Sequence, residues 1–222
     1  MPESPPPPSK RRRIRLGAVS RPAGQAEVPK RAGVTRREEL LDIAAELLAE
    51  RSFASVTVDD LGAAAGISGP ALYHHFDSKE ALLGEMLVDI SQHLFDGGRG
   101  LRDTSPPERL LDDLIEMHVD FAVDHRALIS VHFRDLLQAS ATDQRRVRVL
   151  QRQYVEIWVD ALLVRKPTLT AAIARPAVHG VLGLINSTPF SPRARRGDMV
   201  ALLRTMAAAS FAAVGVTDAP IA

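Results

Sequence analysis

From Leu40 to Ala213 apolar residues recur every three or four positions, and the two-residue alternation of a half-buried strand is nearly missing. The pattern predicts an all-α protein. Thr35 opens the first helix, with Glu38 three residues on as a capping-box partner. Leu40, Ile43, Ala44, Leu47 and Leu48 form its core stripe, and the helix is expected over Thr35–Phe53, with Phe53 plugging the base of a three-helix head. Next comes a short segment with Thr57 as cap and Asp60 as box partner. Its stripe is Val58, Leu61 and Ala65, and Gly66 offers the left-handed turn that stops it. Ser68 caps a second short helix, expected over Gly69–Phe76, and Ile67 and Leu72 have the spacing of a hydrophobic staple. Asp77, with Glu80 three on, is expected to cap the helix after it.

Two short helices joined by a tight turn form a helix-turn-helix. Such a unit suits a DNA groove: the second helix enters the major groove N-terminus first, and the first crosses the backbone. The second helix presents small residues (Gly69, Pro70, Ala71), then Tyr73, His74 and His75. Helix N-termini at Thr57 and Lys79 favour phosphate through free backbone N–H groups, and Tyr73 and His74 can donate to phosphates or bases. Spacing alone leaves open an ordinary helical hairpin with no nucleic-acid role.

The wording of the motif goes further. AGISGPALYHHFDSKEAL closely resembles the signature of the tetracycline-repressor (TetR) family of bacterial one-component regulators. The matched frame begins with the Thr35–Phe53 helix and runs through Thr57, Gly66, Ser68, Leu72, Tyr73, Phe76 and Lys79 to Leu82 and Leu83, covering about 50 of 222 residues. Elsewhere the chain fits the family only in length and helical character. The resemblance implies a DNA-binding domain over residues 35–80 and a ligand-binding and dimerisation domain over 81–222. It implies DNA contacts from Arg36, Arg37, Thr57, Ser68, Gly69, Pro70, Ala71, Tyr73, His74, His75 and Lys79. One departure stands out: the position after Ser68, often Lys or Arg in the family, is Gly69.

Beyond the head, Leu82, Met86, Ile90 and Leu94 continue one helix from Lys79 towards Phe95, and the glycines at 97, 98 and 100 are expected to end it. Ser105-Pro106-Pro107-Glu108 reads as a helix start, followed by Leu110, Leu114, Met117, His118, Phe121 and His125 near one face. A break near Asp124–Arg126 leads to a short helix with Leu128, Ile129, His132, Phe133 and Leu136. A long helix is expected from Gln144 to Lys166, stopped by Pro167. Two more, roughly Thr170–Ser187 and Asp198–Gly215, are separated by Pro189, Pro192 and Gly197. Both are rich in small and apolar residues, including Ile173, Ala177, Gly180, Val181 and Leu184 in one and Met199, Leu202, Leu203, Met206, Ala209 and Ala213 in the other. The resemblance implies that they pack as a two-fold four-helix interface between copies; intrachain packing is the alternative.

Charge adds an asymmetry. Residues 1–37 hold ten Lys/Arg against Glu3 and Glu27, a balance of +8, so with a whole-chain charge of +1 the remainder carries −7. Residues 1–34, rich in Pro, Gly and Arg, cannot bury a core and are expected to be disordered. The Lys10–Arg15 cluster reads either as an arm that follows phosphates beside the helix-turn-helix or as a solvated extension. Lys30–Arg37, adjoining the first helix, is the better placed for phosphate.

Several functions are excluded by what the sequence lacks. There is no cysteine, so disulfides and thiolate chemistry are absent. No apolar run approaches ~18 residues, and the basic N-terminus lacks the apolar stretch of a secretory signal, so a cytoplasmic protein without a membrane partner is expected. No hydrolase, P-loop, dinucleotide or zinc-protease motif occurs, so no enzyme and no cofactor are expected. His118 and His125 lie two helical turns apart, about 10 Å, too far to share one ion, and no metal site is expected.

The aromatics and histidines gather in the second domain. Met86, Ile90, Met117, Phe121, His125, Phe133, Tyr154, Trp158 and His179 are the candidate lining of a pocket for an apolar effector; each by itself also suits plain packing. ALISVHFRDLL and HGVLGLINSTPFSP resemble family members that respond to acyl-CoA or lipid-type compounds. Arg134 then meets an anionic group or makes a surface ion pair. The reading is a homodimeric repressor released from a near-palindromic operator by a small molecule. Its alternatives are a regulator acting as activator and a helical lipid-binding or adaptor module without operator binding.

Overall fold

Capping chemistry sets most of the helix starts. The structure is a computed structural model that describes residues 35–191 and 194–215. The basic tail over 1–34 and Pro192 lie outside the described residues. Among those described there are nine α-helices and no strand: α1 Arg36–Glu50, α2 Val58–Ala65, α3 Gly69–Leu72, α4 Lys79–Thr104, α5 Leu110–Asp124, α6 Arg126–Asp135, α7 Ala141–Arg165, α8 Ala171–Ile185 and α9 Arg196–Ala213. Short 3₁₀ turns occupy Phe53–Ser55, Leu136–Gln138 and Thr188–Phe190. Thr35 and Glu38 form the expected capping box, the carboxylate accepting from Thr35 N–H at 2.6 Å.

Several boundaries differ from the expected ones, each for a local reason. α1 stops at Glu50, and Phe53 reaches the core from the 3₁₀ turn. Ser78, not Asp77, caps α4, accepting from Ala81 N–H at 3.0 Å. α7 begins at Ala141 because Ser140 caps it, accepting from Asp143 N–H at 3.1 Å. Ser105 terminates α4 instead of opening α5. Pro106 O accepts from Arg109 and Leu110 N–H, a single turn that delays α5 to Leu110.

The largest difference is at the glycines. α4 runs unbroken through positions 97–100 to Thr104. A Cβ on Gly98 would lie 2.8 Å from the Tyr154 ring, and one on Gly97 would lie 2.6 Å from Met117 Sδ. These glycines mark where α7 and α5 press against α4, not where the chain turns. Glycine costs a helix interior about 0.5–1 kcal/mol, and burial of Tyr154 and Ile157 across the contact offsets that. Gly84 meets Asp143 near the start of α7 in the same way, so α4 and α7 run side by side in one direction.

One continuous core joins the parts. Leu40, Leu48, Phe53, Leu61, Leu72 and Phe76 fill the head, and Leu82, Leu83 and Met86 of α4 carry the core onward. Leu114, Val119, Val147, Trp158, Leu162, Val178, Ile185 and Phe211 fill the body. α9 is fastened to α5 by charge: Arg204 pairs with Glu116 and Asp120, and Arg196 with Asp120 and Asp124. No helix among the described residues is long and apolar enough to cross a membrane.

Candidate nucleic-acid interface

The helix-turn-helix is held by three small features. Thr57 Oγ1 accepts from Asp60 N–H at 3.1 Å, while the Asp60 carboxylate accepts from Thr57 N–H at 2.8 Å and from its hydroxyl at 2.7 Å. Those bonds, with Arg51 beside it, pull the Asp60 carboxyl down to about 2. Gly66, with φ at 67°, makes the left-handed turn, and Ile67 N–H closes back on Gly62 O at 2.9 Å. Ser68 Oγ then accepts from Ala71 N–H at 3.3 Å and starts α3.

α2 and α3 approach through glycines. A Cβ on Gly62 would lie 2.7 Å from Gly69 N and 2.9 Å from Ile67 O. Gly69 itself is buried, with Asp59 Oδ1 occupying the place its Cβ would take. Gly69 therefore sets the packing of α3 instead of facing outward, and a longer side chain there must first displace Asp59. α3 is one turn long, and Tyr73–His75 continue it as a turn, not as helix to Phe76. Leu72 and Phe76 point into the head at 3% exposure. Thr57, Ser68, Pro70, Tyr73 and His74 form the exposed front; Ala71 and His75 are half-buried beside it.

The cations sit differently from the expectation. Lys79 Nζ donates to Phe53 O at 2.9 Å and Val56 O at 2.8 Å and lies 4.1 Å over the Phe53 ring. Its charge braces the start of α2 instead of projecting outward. Arg36 donates to Ala65 O at 2.6 Å and pairs with Glu39 at 3.0 Å. Arg37 grips Glu85 with two donors and stacks 4.3 Å over Phe76. Arg51 pairs with Asp60 at 3.2 Å. Residues 35–80 contain these four Lys/Arg against nine Asp/Glu, a balance of −5. All four already have partners within the protein.

In the body, the candidate pocket residues divide. Met86, Ile90, Phe121, Tyr154 and Trp158 are all buried, Met117 and His125 are partly so, and the rings of Phe121, Tyr154 and Trp158 gather where α5 meets α7. At their centre is His118, absent from the candidate lining. Its Nδ1 lies 3.1 Å from Tyr154 Oη and its Nε2 3.1 Å from Asn186 Oδ1. Neutral imidazole satisfies both: Nε2–H donates to Asn186 and Nδ1 accepts from Tyr154. Burial pulls this imidazole down to about 4 and pushes the Tyr154 phenol up. The sequence signal is its place in the stripe Leu114–Met117–His118–Phe121, where a polar ring must find buried partners.

Phe133 and His179 do not join that cluster. Phe133 is 56% exposed and meets Phe190 on the outside, ring centroids 6.4 Å apart. His179 lies with Arg148, Arg152, Arg175 and Glu156 along an open groove of about 490 Å³ between α7 and α8. Helical phase explains both, since the buried line of α8 is Ala174–Val178–Val181–Ile185, with His179 off it. Arg134 turns inward to the head and meets carbonyls at the end of α1.

The model of the family described as bacterial regulatory proteins, tetR family, matches residues 40–86, which span the whole helix-turn-helix. A relative aligns well past that segment: the HTH-type transcriptional repressor KstR2 of Mycobacterium tuberculosis is 36% identical over 131 residues. Residues 40–86 are a tetR-family segment. The KstR2 match takes in 58% of this chain and 65% of that protein, so it spans just under two thirds of the relative's length. The HTH-type transcriptional activator FasR of Mycolicibacterium smegmatis is 29% identical over 153 residues, 67% of this chain and 68% of that protein. The fold extends further than the sequence match. The structure of the ketosteroid transcriptional regulator KstR2 of Mycobacterium tuberculosis superposes with a TM-score of 0.67 at 25% identity, covering 80% of this chain and 94% of that one. The tetR-family head thus comes with an all-helical second part of the family's shape.

Proposed function

We propose that this chain is a tetR-family transcriptional regulator, homodimeric and ligand-responsive, that binds a near-palindromic operator and acts as a repressor. The carrying observation is the helix-turn-helix with Thr57, Ser68, Pro70, Tyr73 and His74 on one exposed front. Two such fronts about 34–36 Å apart meet successive major grooves. Tyr73 O–H and the His74 ring supply donors to phosphate or base edges.

Phosphate neutralisation falls mainly to the tail in this reading. The head carries −5, while residues 1–34 hold eight Lys/Arg against two Asp/Glu. The deciding experiment is a gel shift with DNA from upstream of the protein's own gene. A sequence-selective shift that weakens with salt is expected. Replacing Lys10, Arg11, Arg12, Arg13 and Arg15 by Gln should flatten the log–log salt dependence, by about 0.9 for each phosphate no longer neutralised. No shift at any salt would leave the adaptor reading in place. An unchanged salt slope in the Gln variant would remove the arm.

Dimerisation is supported by an apolar stripe that the chain itself leaves partly uncovered. Ile173, Ala177, Gly180 and Leu184 of α8 and Leu202, Met206, Ala209 and Ala213 of α9 recur at four- and three-residue steps. Ile173 is 55%, Leu202 53% and Met206 43% exposed, which is costly for side chains of this size unless another surface covers them. Leu202→Glu together with Met206→Glu is expected to give a helical monomer in sedimentation at micromolar concentration. A variant that still sediments as a dimer would place the interface elsewhere.

The effector we infer is mostly apolar, of lipid or acyl-CoA type, held near the Phe121, Tyr154 and Trp158 rings that surround His118. The ketosteroid in the name of KstR2 belongs to that protein, and it is of the same apolar character. Ligand and DNA then oppose each other through one coupling free energy, typically ~1–3 kcal/mol. The likeness to FasR, named an activator, favours a second reading with the same DNA and ligand sites but the opposite transcriptional sign.

A further inference from the structure

α1 ends without a device of its own. Its last turn has no basic residue, and its C-cap, Arg51, is extended and not left-handed. The final carbonyls of such a helix need outside donors. They receive them from the other part of the molecule. Arg134 of α6 donates to Leu48 O, to Arg51 O at 3.1 Å and, more weakly, to Ala49 O at 3.4 Å. The guanidinium is aimed by Asp135, which accepts from Nε at 3.1 Å and from the NH2 group at 2.9 Å while only 4% exposed. A planar fork held on one edge by a buried carboxylate and capping a helix with the other has little freedom to swing.

From that cap the contacts continue towards the DNA-facing front. Arg51, whose carbonyl Arg134 holds, sends its side chain to Ser55 O at 2.8 Å and to Asp60 at 3.2 Å. Asp60 in turn closes the capping box of Thr57 at the N-terminus of α2. On the other side, α6 is tied into the body. His132 Nε2 lies 2.5 Å from Gln151 Nε2 on α7, and Arg126 donates to Ser191 O at 2.6 Å. One side chain thus sits between the end of α1 and a helix packed against the effector-binding part.

We propose that Arg134 is the positioning residue through which the body sets the pose of the helix-turn-helix. It contacts neither DNA nor effector; it fixes α6 to the end of α1, so a shift of α6 is delivered to Arg51, Asp60 and the start of α2. The inference rests on the DNA-binding reading above, and its first test does not require DNA. Linkage is reciprocal: if α6 biases the head, an occupied head must bias α6.

Hydrogen exchange on the full-length protein tests both directions. In the free protein, Arg134→Ala is expected to speed exchange of amides 48–60 at least tenfold while α7–α9 keep their protection. Arg134→Lys, with its charge but without the fork, should behave nearly as the alanine variant does. With the protein's own promoter fragment as probe, wild type is expected to gain protection over residues 126–138, and Arg134→Ala, bound to the same DNA, to gain none there. Unchanged exchange at 48–60, or acceleration spread evenly over α5–α9, overturns the proposal. So does equal DNA-induced protection of α6 in both proteins. Failure of wild type to shift the fragment would instead count against the DNA-binding reading, leaving the free-state comparison to decide the role of Arg134.

Discussion

Gly62→Ala is expected to lose operator binding by roughly a hundredfold and to destabilise the head by about 2–3 kcal/mol, although a single methyl is added to a helix that otherwise favours alanine. The added Cβ would meet three backbone atoms, Gly69 N at 2.7 Å, Ile67 O at 2.9 Å and Ser68 C at 2.9 Å. Backbone cannot rotate out of the way as a side chain can, so the α2–α3 junction must open, at the ~1–3 kcal/mol typical of overpacking. The displaced element is the one that carries Pro70, Tyr73 and His74. One or two misplaced base contacts at ~1–3 kcal/mol each account for the weaker affinity. Gly100→Ala is the control. Nothing lies within 4 Å of its Cβ, inside a helix, so the same chemical change should stabilise by a few tenths to 1 kcal/mol. Urea melts and gel shifts of the two variants decide it: equal behaviour would mean that the α2–α3 junction is not tight.

The second large effect is a loss of stability in mild acid. His118 is 2% exposed, and burial holds its imidazole at about 4, against an ordinary value of 6.5. Between those values the unfolded chain binds a proton that the folded chain refuses, so stability rises with pH across that interval. The contribution is complete above about 6.5 and is lost progressively as pH falls to about 4. At 1.36 kcal/mol per pH unit it amounts to about 3 kcal/mol. His118→Gln removes the titration and keeps an amide to meet Tyr154 and Asn186. Urea midpoints taken between pH 7 and 4 should fall more steeply for wild type than for the Gln variant. Parallel curves would show that His118 titrates normally and is not sealed in the core.

The head is legible in the sequence because its signals are local. Capping boxes at Thr35 and Thr57, the Gly66 turn and the Ser68 cap each act within four residues, and each is found. What sequence spacing could not supply was distance between elements. The glycines at 97 and 98 read as a loop because nothing in their neighbourhood announces Met117 and Tyr154 across the bundle. Lys79 read as a phosphate contact, and Arg134 as the partner of an anionic group or of a surface carboxylate, for the same reason. Their partners are carbonyls of Phe53, Val56, Leu48 and Arg51, and any sequence supplies carbonyls everywhere. Among the pocket candidates, residue type foretold burial where helical phase agreed, as for Tyr154 and Trp158. It did not foretell the exposure of Phe133 and His179, which lie off the buried faces of their helices.

The internal engagement of Arg36, Arg37, Arg51 and Lys79 bears on how such a regulator would divide its time in a genome. Random sequence competes by its sheer number of sites, and what it offers every protein alike is backbone charge. A folded head with an excess of carboxylates takes little from that offer. In the proposed reading, discrimination then depends on bases met by Tyr73 and His74, while the length of time spent on DNA is adjusted separately, by the basic residues that precede Thr35.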